Sequence, residues 1–490
     1  MPPMTESQAR PKEVRTRFAP SPTGSLHLGN IRIAVFNWLF ARHHGGRFVL
    51  RVEDTDVVRN QPKAEAAIMD DLRWLGLEWD EGPDLGGEYG PYRQGEAAPL
   101  HRESAMELVQ SGHAFRCYCT EEELAQEAEA TESGLTVHRY SGRCRALGKE
   151  ERDRLDAEGV PWSVRFRVDP GEIAVRDAIR GDVSFDGADF GDFVILRPDG
   201  RATYNFAVVV DDIRMRISHV IRGVGHLSNT PKQGLLFDAL GVDRPTFAHL
   251  PTVLGPDRKK LSKREGAAAI EELRKEGYHP DAILNYTSLL GWSSVSEEEV
   301  LAREELIREM DLERVGASDT IFDPAKMRWL SGQHIARMEL EELVRQVAPR
   351  IDRDRYPVPD ERLTYAVEAV RTRISTFGEI NVHFALLYPE PNPEFDRTRR
   401  DLASDPDGRR VLESARRALD GLAQWDSSAI MQTIRAVGKE IDARGPRLFH
   451  PIRIAVSGET SGPDLGKVLQ AIGREETIER ITDSLALRSD

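Results

Sequence analysis

The spacing of apolar residues changes several times along this chain, and each change marks an element. Residues 14–18 read as a short strand. Pro20, Pro22 and Gly24 then forbid regular structure and impose a tight turn. Ile31, Ala34, Val35, Trp38 and Leu39 recur at helical spacing. Gly45-Gly46 is a stop signal, and residues 47–52 read as a second strand ending in Glu53-Asp54-Thr55-Asp56. Residues 62–75 suit a helix with Ile68, Leu72 and Leu75 on one side. Strand, helix, strand, helix predicts a parallel sheet with crossover helices.

The pattern then becomes less regular. Residues 82–95 are rich in glycine and proline and read as a connection, and residues 121–154 are charged and helical in part. Alternation at Val164, Phe166 and Val168, then Val183 and Phe185, then Phe193 and Ile195 before Pro198-Asp199-Gly200, predicts short strands with turns. The run at 203–212 reads as the sheet resuming, and 218–221 as a further buried strand ending at Arg222-Gly223. From residue 266 onward the pattern is mostly helical, with amphipathic stretches at 340–347, 363–374, 411–422 and 430–441. There is no internal repeat or low-complexity tract.

A length of 490 residues exceeds one core and sets an expectation of about three domains. No apolar run is long enough to span a membrane. Residues 1–12 are polar, lack an apolar signal core, and read as a disordered tail on a cytoplasmic protein. The net charge of −15 does not advertise nucleic-acid binding. Any bound RNA must be met by local basic patches, with strongly salt-dependent affinity.

Several residues could carry chemistry. His27 to Asn30 fall where a strand has ended and a helix begins, a place whose N–H groups and dipole suit a phosphate. Gly29 would let a flat ligand lie against the backbone, and His27 and Asn30 share one face. Ser21, His27 and Glu53 would converge beyond the strand ends, where ligands of parallel sheets bind. Residues 254–264 form a turn followed by a basic loop. All three cysteines, Cys117, Cys119 and Cys144, cluster, and their odd count argues against a disulfide framework. Tetrahedral zinc needs a fourth ligand, for which His138 is the conventional donor.

The stretch from Arg17 to Asn30 closely resembles the signature of class I aminoacyl-tRNA synthetases, with His27-Leu28-Gly29-Asn30 in place of His-Ile-Gly-His. The preceding Arg-Phe-Ala-Pro-Ser-Pro-Thr-Gly resembles the glutamyl-tRNA synthetase version. Lys260-Leu261-Ser262-Lys263-Arg264 is similar to the second motif, Lys-Met-Ser-Lys-Ser, and stands in the right order. The resemblance covers nearly the whole chain after the tail. It implies an α/β class: a Rossmann-type nucleotide-binding domain with an α+β insertion, then stem and all-α anticodon-binding domains. The implied boundaries are 13–92 and 198–240 for the two catalytic halves, 93–197 for the acceptor-binding insertion, 241–338 for the stem-contact domain and 339–490 for the helical anticodon-binding region of two subdomains.

The implied activity is glutamate–tRNA ligation: ATP-dependent activation of L-glutamate, with Mg²⁺, and transfer to the 3′ end of tRNA(Glu), by a monomer. His27, Lys260 and Lys263 take catalytic roles. His27, Gly29, Asn30, Lys260, Leu261, Ser262, Lys263 and Arg264 bind ATP. Arg17, Ala19, Ser21, Glu53, Tyr204 and Arg222 bind glutamate, and the chemistry suits them, since guanidinium forks and a phenol hydroxyl select a carboxylate. Zinc-bearing relatives use a tyrosine as fourth ligand, which makes Tyr140 the implied partner of the cysteines. Residues 371–373 adjoin a stretch that suits an amphipathic helix, so both arginines are expected to face outward. Arg373 matches an arginine that reads the third anticodon base in enzymes that reject tRNA(Gln). Two places depart from the family: Asn30 replaces the second histidine, and Val224-Gly225 replaces an acidic pair near ATP. A glutamine-charging relative, a truncated tRNA-modifying relative, a ligase that also charges tRNA(Gln), and a noncatalytic tRNA-binding module are the alternatives.

Overall fold

The computed structural model describes residues 13–22, 24–55, 62–130, 140–259, 261, 269–389 and 393–487. The chain divides into two units, Met1–Glu271 with Leu284–Asp323, and Glu272–Ile283 with Pro324–Asp490. The expected tail at 1–12, and Thr23 and Asp56 of the motifs above, lie outside the described residues.

The first unit is built on parallel pairing. Strands β1 (Arg15–Phe18) and β2 (Arg47–Leu50) pair in parallel, with helix α1 (Leu28–His43) as the crossover. Helix α1 buries Ile31, Ala34, Val35, Trp38 and Leu39, the residues that predict it, and Leu28, Phe36 and Phe40 besides. The two glycines after it act differently. Gly45 adopts φ +60°, which ends the helix, while a Cβ at Gly46 would stand 2.0 Å from the Val14 carbonyl oxygen. Only a bare backbone passes there into β2. Helix α2 (Pro62–Trp74) follows.

Next come α3 (Ala98–Gln110), β3 (Ala114–Cys117), α4 (Glu121–Ala130), α5 (Lys149–Ala157), β4 (Ser163–Phe166), β5 (Glu172–Asp177), β6 (Gly181–Asp186) and β7 (Phe193–Leu196). Strands β3, β4 and β7 make an antiparallel sheet, and β5 and β6 a hairpin. The chain then forms α6 (Tyr204–Arg214), β8 (His219–Gly223), α7 (Thr230–Ala239) and β9 (Thr246–Leu250). Strands β8 and β9 are parallel, and the end of β5 joins β9 in parallel at Asp177 opposite Phe247. Ser218 binds β8 to the first pair: its N–H donates to the Arg15 carbonyl at 3.0 Å, and its hydroxyl accepts from the Arg15 N–H at 2.7 Å. The carboxyl ends of β1, β2, β8 and β9 therefore open to one side, the usual place for a ligand.

The expected strand over 203–212 is a helix instead, α6. A continuous apolar run cannot by itself distinguish a buried strand from a buried helix. Phe206 to Val210 are all buried in α6, so the run has no polar face to show helical period. Its polar end, Asp211-Asp212, is also buried, and is held by side chains from other elements.

In the second unit, helices Pro324–Arg337, Leu340–Val347, Asp360–Val370, Pro406–Asp420, Ser427–Glu440, Pro446–Ser457, Leu465–Ile472 and Arg474–Ala486 share an apolar core that includes Leu343, Val367, Leu412, Ile434, Ile452, Leu469 and Ile481. Three aspartates cap helix starts by accepting backbone N–H groups: Asp405, Asp426 and Asp464. Arg371 does not face outward as expected. Its Nη2 donates to the carbonyls of Ala336 and Met338, each at 2.7 Å, because the helix stops at Val370 and turns the next side chain inward. Arg373 is exposed and donates to the Gly462 carbonyl at 2.6 Å. Among the described residues no helix is long and apolar enough to cross a membrane.

Candidate active site

Two loops leave the parallel strands side by side. The Arg51 N–H donates to the Phe18 carbonyl and the Glu53 N–H to the Pro20 carbonyl, both at 3.0 Å. Ladder bonding thus continues past β1 and β2 and sets Ala19 and the exposed Ser21 next to Glu53. Helix α1 starts just beyond. His27 is its N-cap in extended conformation, with no side-chain cap hydrogen bond and no acidic residue in the first turn, a helix start whose dipole favours an anion. The His27 carbonyl accepts from Asn30 and Ile31 at 2.9 and 3.0 Å. A Cβ on Gly29 would sit 3.1 Å from His27 Cε1. Gly29 therefore makes room for the imidazole as well as for any ligand. Asn30 is exposed and Leu261 buried, its N–H donating to the Val253 carbonyl at 3.1 Å. His138, Lys260, Ser262, Lys263 and Arg264 lie outside the described residues.

Behind the loops lies a buried cluster of charges. Asp212 on α6 meets Arg17 from β1, with Nε–Oδ1 at 3.1 Å, and Arg51 beyond β2, with Nη1–Oδ1 at 2.5 Å. Arg51 is fully buried and also meets Glu53 at 3.1 Å. Burial works against charge on Asp212, but Arg17 and Arg51 outweigh it and hold the carboxyl below the usual range. Burial raises Glu53, with Arg51 opposing. Arg222, 5% exposed, completes the group, and burial brings it down to about 10. Its Nε–H donates to His249 Nε2 at 3.0 Å and its Nη2 to Thr230 Oγ1 at 2.9 Å. Tyr204 Oη lies 3.2 Å from His226 Nδ1. Burial and the Glu53 charge raise the Tyr204 phenol, which stays neutral, with Arg222, Arg17 and Arg51 also acting on it.

Arg17, Glu53, Tyr204 and Arg222 are thus brought to one place. Arg17 and Arg51 meet carboxylates, whereas the Arg222 hydrogen bonds go to neutral acceptors, an imidazole nitrogen and a hydroxyl. A ligand carboxylate would pair with such a guanidinium, accepting bidentate donors from the fork. The sequence reasoning missed Arg51, Asp212 and His249. Each carries a signal, being a polar residue inside or at the end of an apolar run: Phe48 to Val52, Phe206 to Val210, and Phe247 to Leu250.

The cysteines also converge. The three Sγ atoms lie within 4.8 Å of one another, with Cys119 and Cys144 at 3.5 Å. Tyr140 Oη is 3.5 Å from Cys117 Sγ and 3.8 Å from Cys119 Sγ, and accepts the Cys144 N–H at 2.7 Å. Ligands 2.3 Å from a tetrahedral zinc would be separated by about 3.8 Å, so the spacing of this donor set suits the ion. Arg165 faces the cluster, its Nε–H 3.3 Å from Cys117 Sγ and its guanidinium carbon 4.1 Å from the Tyr140 ring centroid.

Residues 13–329 match the family model for class I tRNA synthetases (E and Q), catalytic domain, and residues 339–485 the model for the anticodon binding domain. Among curated relatives, the glutamate–tRNA ligase of Sulfurihydrogenibium sp. is 43% identical over 468 residues, 95% of this chain and 98% of the relative. That of Desulforudis audaxviator is 44% identical, covering 96% of each chain. The crystal structure of a glutamate tRNA ligase from Elizabethkingia meningosepticum, in complex with its amino acid, superposes with a TM-score of 0.84 at 32% identity. It covers 97% of this chain and 100% of that one. The parallel sheet, the charge cluster at its open end and the length of these matches agree: the chain belongs to the glutamate–tRNA ligase family of class I tRNA synthetases.

Proposed function

We propose that this chain activates L-glutamate with ATP and esterifies the 3′ end of tRNA(Glu) with it. An oxygen of the α-carboxylate attacks the α-phosphorus, the bond to the bridging oxygen breaks, and pyrophosphate leaves. The terminal adenosine hydroxyl then attacks the activated carbonyl and AMP leaves. The observation that carries this reading is the buried guanidinium of Arg222, whose hydrogen bonds go to neutral acceptors, beside Arg17, Arg51 and the neutral phenol of Tyr204. Such a donor-only group pairs with a side-chain carboxylate through charge-assisted bonds, which the amide cannot make. Hydrogen bonds to a charged group contribute about 1.5–3 kcal/mol each.

The ATP phosphates are assigned to the uncapped start of α1, with His27, Gly29 and Asn30, and to the loop of Lys260, Leu261, Ser262, Lys263 and Arg264. Lysines there would neutralise charge developing at the α-phosphate. Mg²⁺ accompanies ATP and supplies further charge neutralisation. Cys117, Cys119, Cys144 and Tyr140 would hold a structural zinc, whose binding adds to the folding energy of the inserted stretch. Residues 93–197 are assigned to the acceptor end and residues 339–490 to the anticodon, with Arg373 favouring the cytosine of glutamate anticodons. A guanidinium only donates, and cytosine offers acceptors where guanine offers N–H groups. A cytoplasmic monomer is the proposed working form. ATP–pyrophosphate exchange with each amino acid, with and without tRNA(Glu), tests the reading. Exchange with glutamate above all others is expected; exchange led by another amino acid, or none under any condition, would refute it.

A further inference from the structure

We infer that His249 and Asp177 are positioning residues for Arg222, fixing the direction of its guanidinium through one defined tautomer of the imidazole. Arg222 on β8 and His249 on β9 are direct partners in the parallel register, so their side chains can meet on one face of the sheet. The Arg222 Nε–H donates to His249 Nε2 at 3.0 Å. That nitrogen must therefore carry the lone pair, since a guanidinium accepts nothing. The ring proton then lies on Nδ1, which is 2.5 Å from Asp177 Oδ2. The other carboxylate oxygen, Oδ1, accepts three backbone N–H groups, from Ile179 and Arg180 at 3.0 Å and from His249 at 3.3 Å. Asp177 thus cannot turn, the imidazole cannot flip, and Arg222 is held along one edge. Thr230 Oγ1, also fully buried, accepts from Nη2 at 2.9 Å and fixes a second point.

The imidazole itself is 0% exposed, and burial holds it below its ordinary value. Both facts keep it neutral, as a ring that must accept from one cation and donate to one anion has to be. Asp177 ends β5, in the stretch between the two parallel pairs, and is paired with Phe247 of β9. The arginine of the amino-acid pocket is thereby oriented from a strand outside that pocket. The inference rests on the proposed role of Arg222 toward the glutamate side chain.

Asp177→Asn tests it at nearly constant volume. The three backbone donors would hold the amide oxygen at the Oδ1 position, placing the amide NH₂ against the Nδ1–H. Relief requires the proton to move to Nε2, which then opposes the Arg222 Nε–H. His249→Gln restores an acceptor for Arg222, and His249→Leu does not. In exchange assays, Asp177→Asn and His249→Leu should raise the glutamate KM tenfold or more, with the ATP KM within twofold of the unmutated enzyme. His249→Gln should recover most of that loss. In the unmutated protein with ¹⁵N-labelled histidine, the resonance lost in His249→Gln should report a protonated Nδ1 and bare Nε2. A protonated Nε2 in that spectrum overturns the inference even where Asp177→Asn and His249→Leu fail to fold. So does an unchanged glutamate KM in Asp177→Asn, or equal rises in both KM values, which indicate a merely structural part. Arg222→Ala measured alongside separates the two claims: an unchanged glutamate KM there removes the role of Arg222, while the spectrum still decides the tautomer.

Discussion

Replacing Arg222 by alanine should damage glutamate binding and little else. The guanidinium is 5% exposed, and burial has already lowered its pKa to about 10, so the charge is costly where it stands. Its removal relieves that cost and takes away a donor from His249 Nε2 and Thr230 Oγ1, which lie 3.2 Å apart and can pair with each other. Stability should therefore fall by only about 1–2 kcal/mol, the usual size for lost buried hydrogen bonds. The ligand loses more. A charge-assisted bond to its carboxylate contributes up to about 3 kcal/mol, which corresponds to a rise of roughly 100-fold in glutamate KM. Arg222→Ala also removes the guanidinium proposed to pair with the ligand carboxylate, so preference for glutamate over glutamine should shrink. The assay is ATP–pyrophosphate exchange with tRNA(Glu) present, varying glutamate, glutamine and ATP in turn. An unchanged glutamate KM and selectivity, or an ATP KM that rises equally, would refute this reasoning.

Other expectations concern separate parts of the molecule. His27→Ala and Lys263→Ala should each lower adenylate formation by about 100-fold or more in kcat with the fold intact, the size seen for removal of charge-stabilising donors; near-normal kcat in both would exclude them from the chemistry. Protein purified without added metal should carry close to one zinc per chain. Cys119→Ser should lose it and unfold at lower temperature, and a chelator should act likewise; full stability without metal would return the cysteines to ordinary packing. Arg373→Gln, which can accept as well as donate, should increase charging of tRNA(Gln) several-fold; comparable charging of both tRNAs by the unmutated enzyme would remove that role. Asp177, Asp211 and Asp212 are all held below their ordinary carboxylate value by charged or hydrogen-bonding partners that outweigh burial. Their stabilisation is full above the unfolded value of about 3.9 and is lost as pH falls through the lower folded values. Melting temperature should drop steeply below about pH 4 and less steeply in Asp212→Asn; parallel curves would contradict the linkage.

The parts of this fold that were legible in sequence are those where one chemical signal dominates. Helix α1 was readable from its apolar spacing and from Gly45-Gly46, the first at positive φ and the second pressed against the Val14 carbonyl. The loop after β1 was readable from its prolines. The cysteine cluster was visible as composition, but that Tyr140 reaches the thiols required the turn ending at Cys144, whose N–H takes the phenol oxygen. Helix α6 was misread because burial on all sides removes the polar face that separates period 3.6 from period 2. Arg51, Asp212 and His249 escaped because their partners are distant in sequence. Arg51 and Asp212 are 161 residues apart, and Asp177 and His249 are 72 apart. A buried charge looks like an error in a strand until its counter-charge is found, and only the folded chain supplies it.

The most direct measurement of the central claim is the identity of the ester the enzyme makes. Purified tRNA(Glu) is incubated with the full chain, ATP, Mg²⁺ and an equimolar mixture of the twenty amino acids, and the 3′-terminal aminoacyl-adenosine is released and weighed by mass spectrometry. The account requires glutamyl-adenosine as the dominant product, formed only with ATP present. A different aminoacyl group, or uncharged tRNA under conditions where the protein is folded, would contradict it.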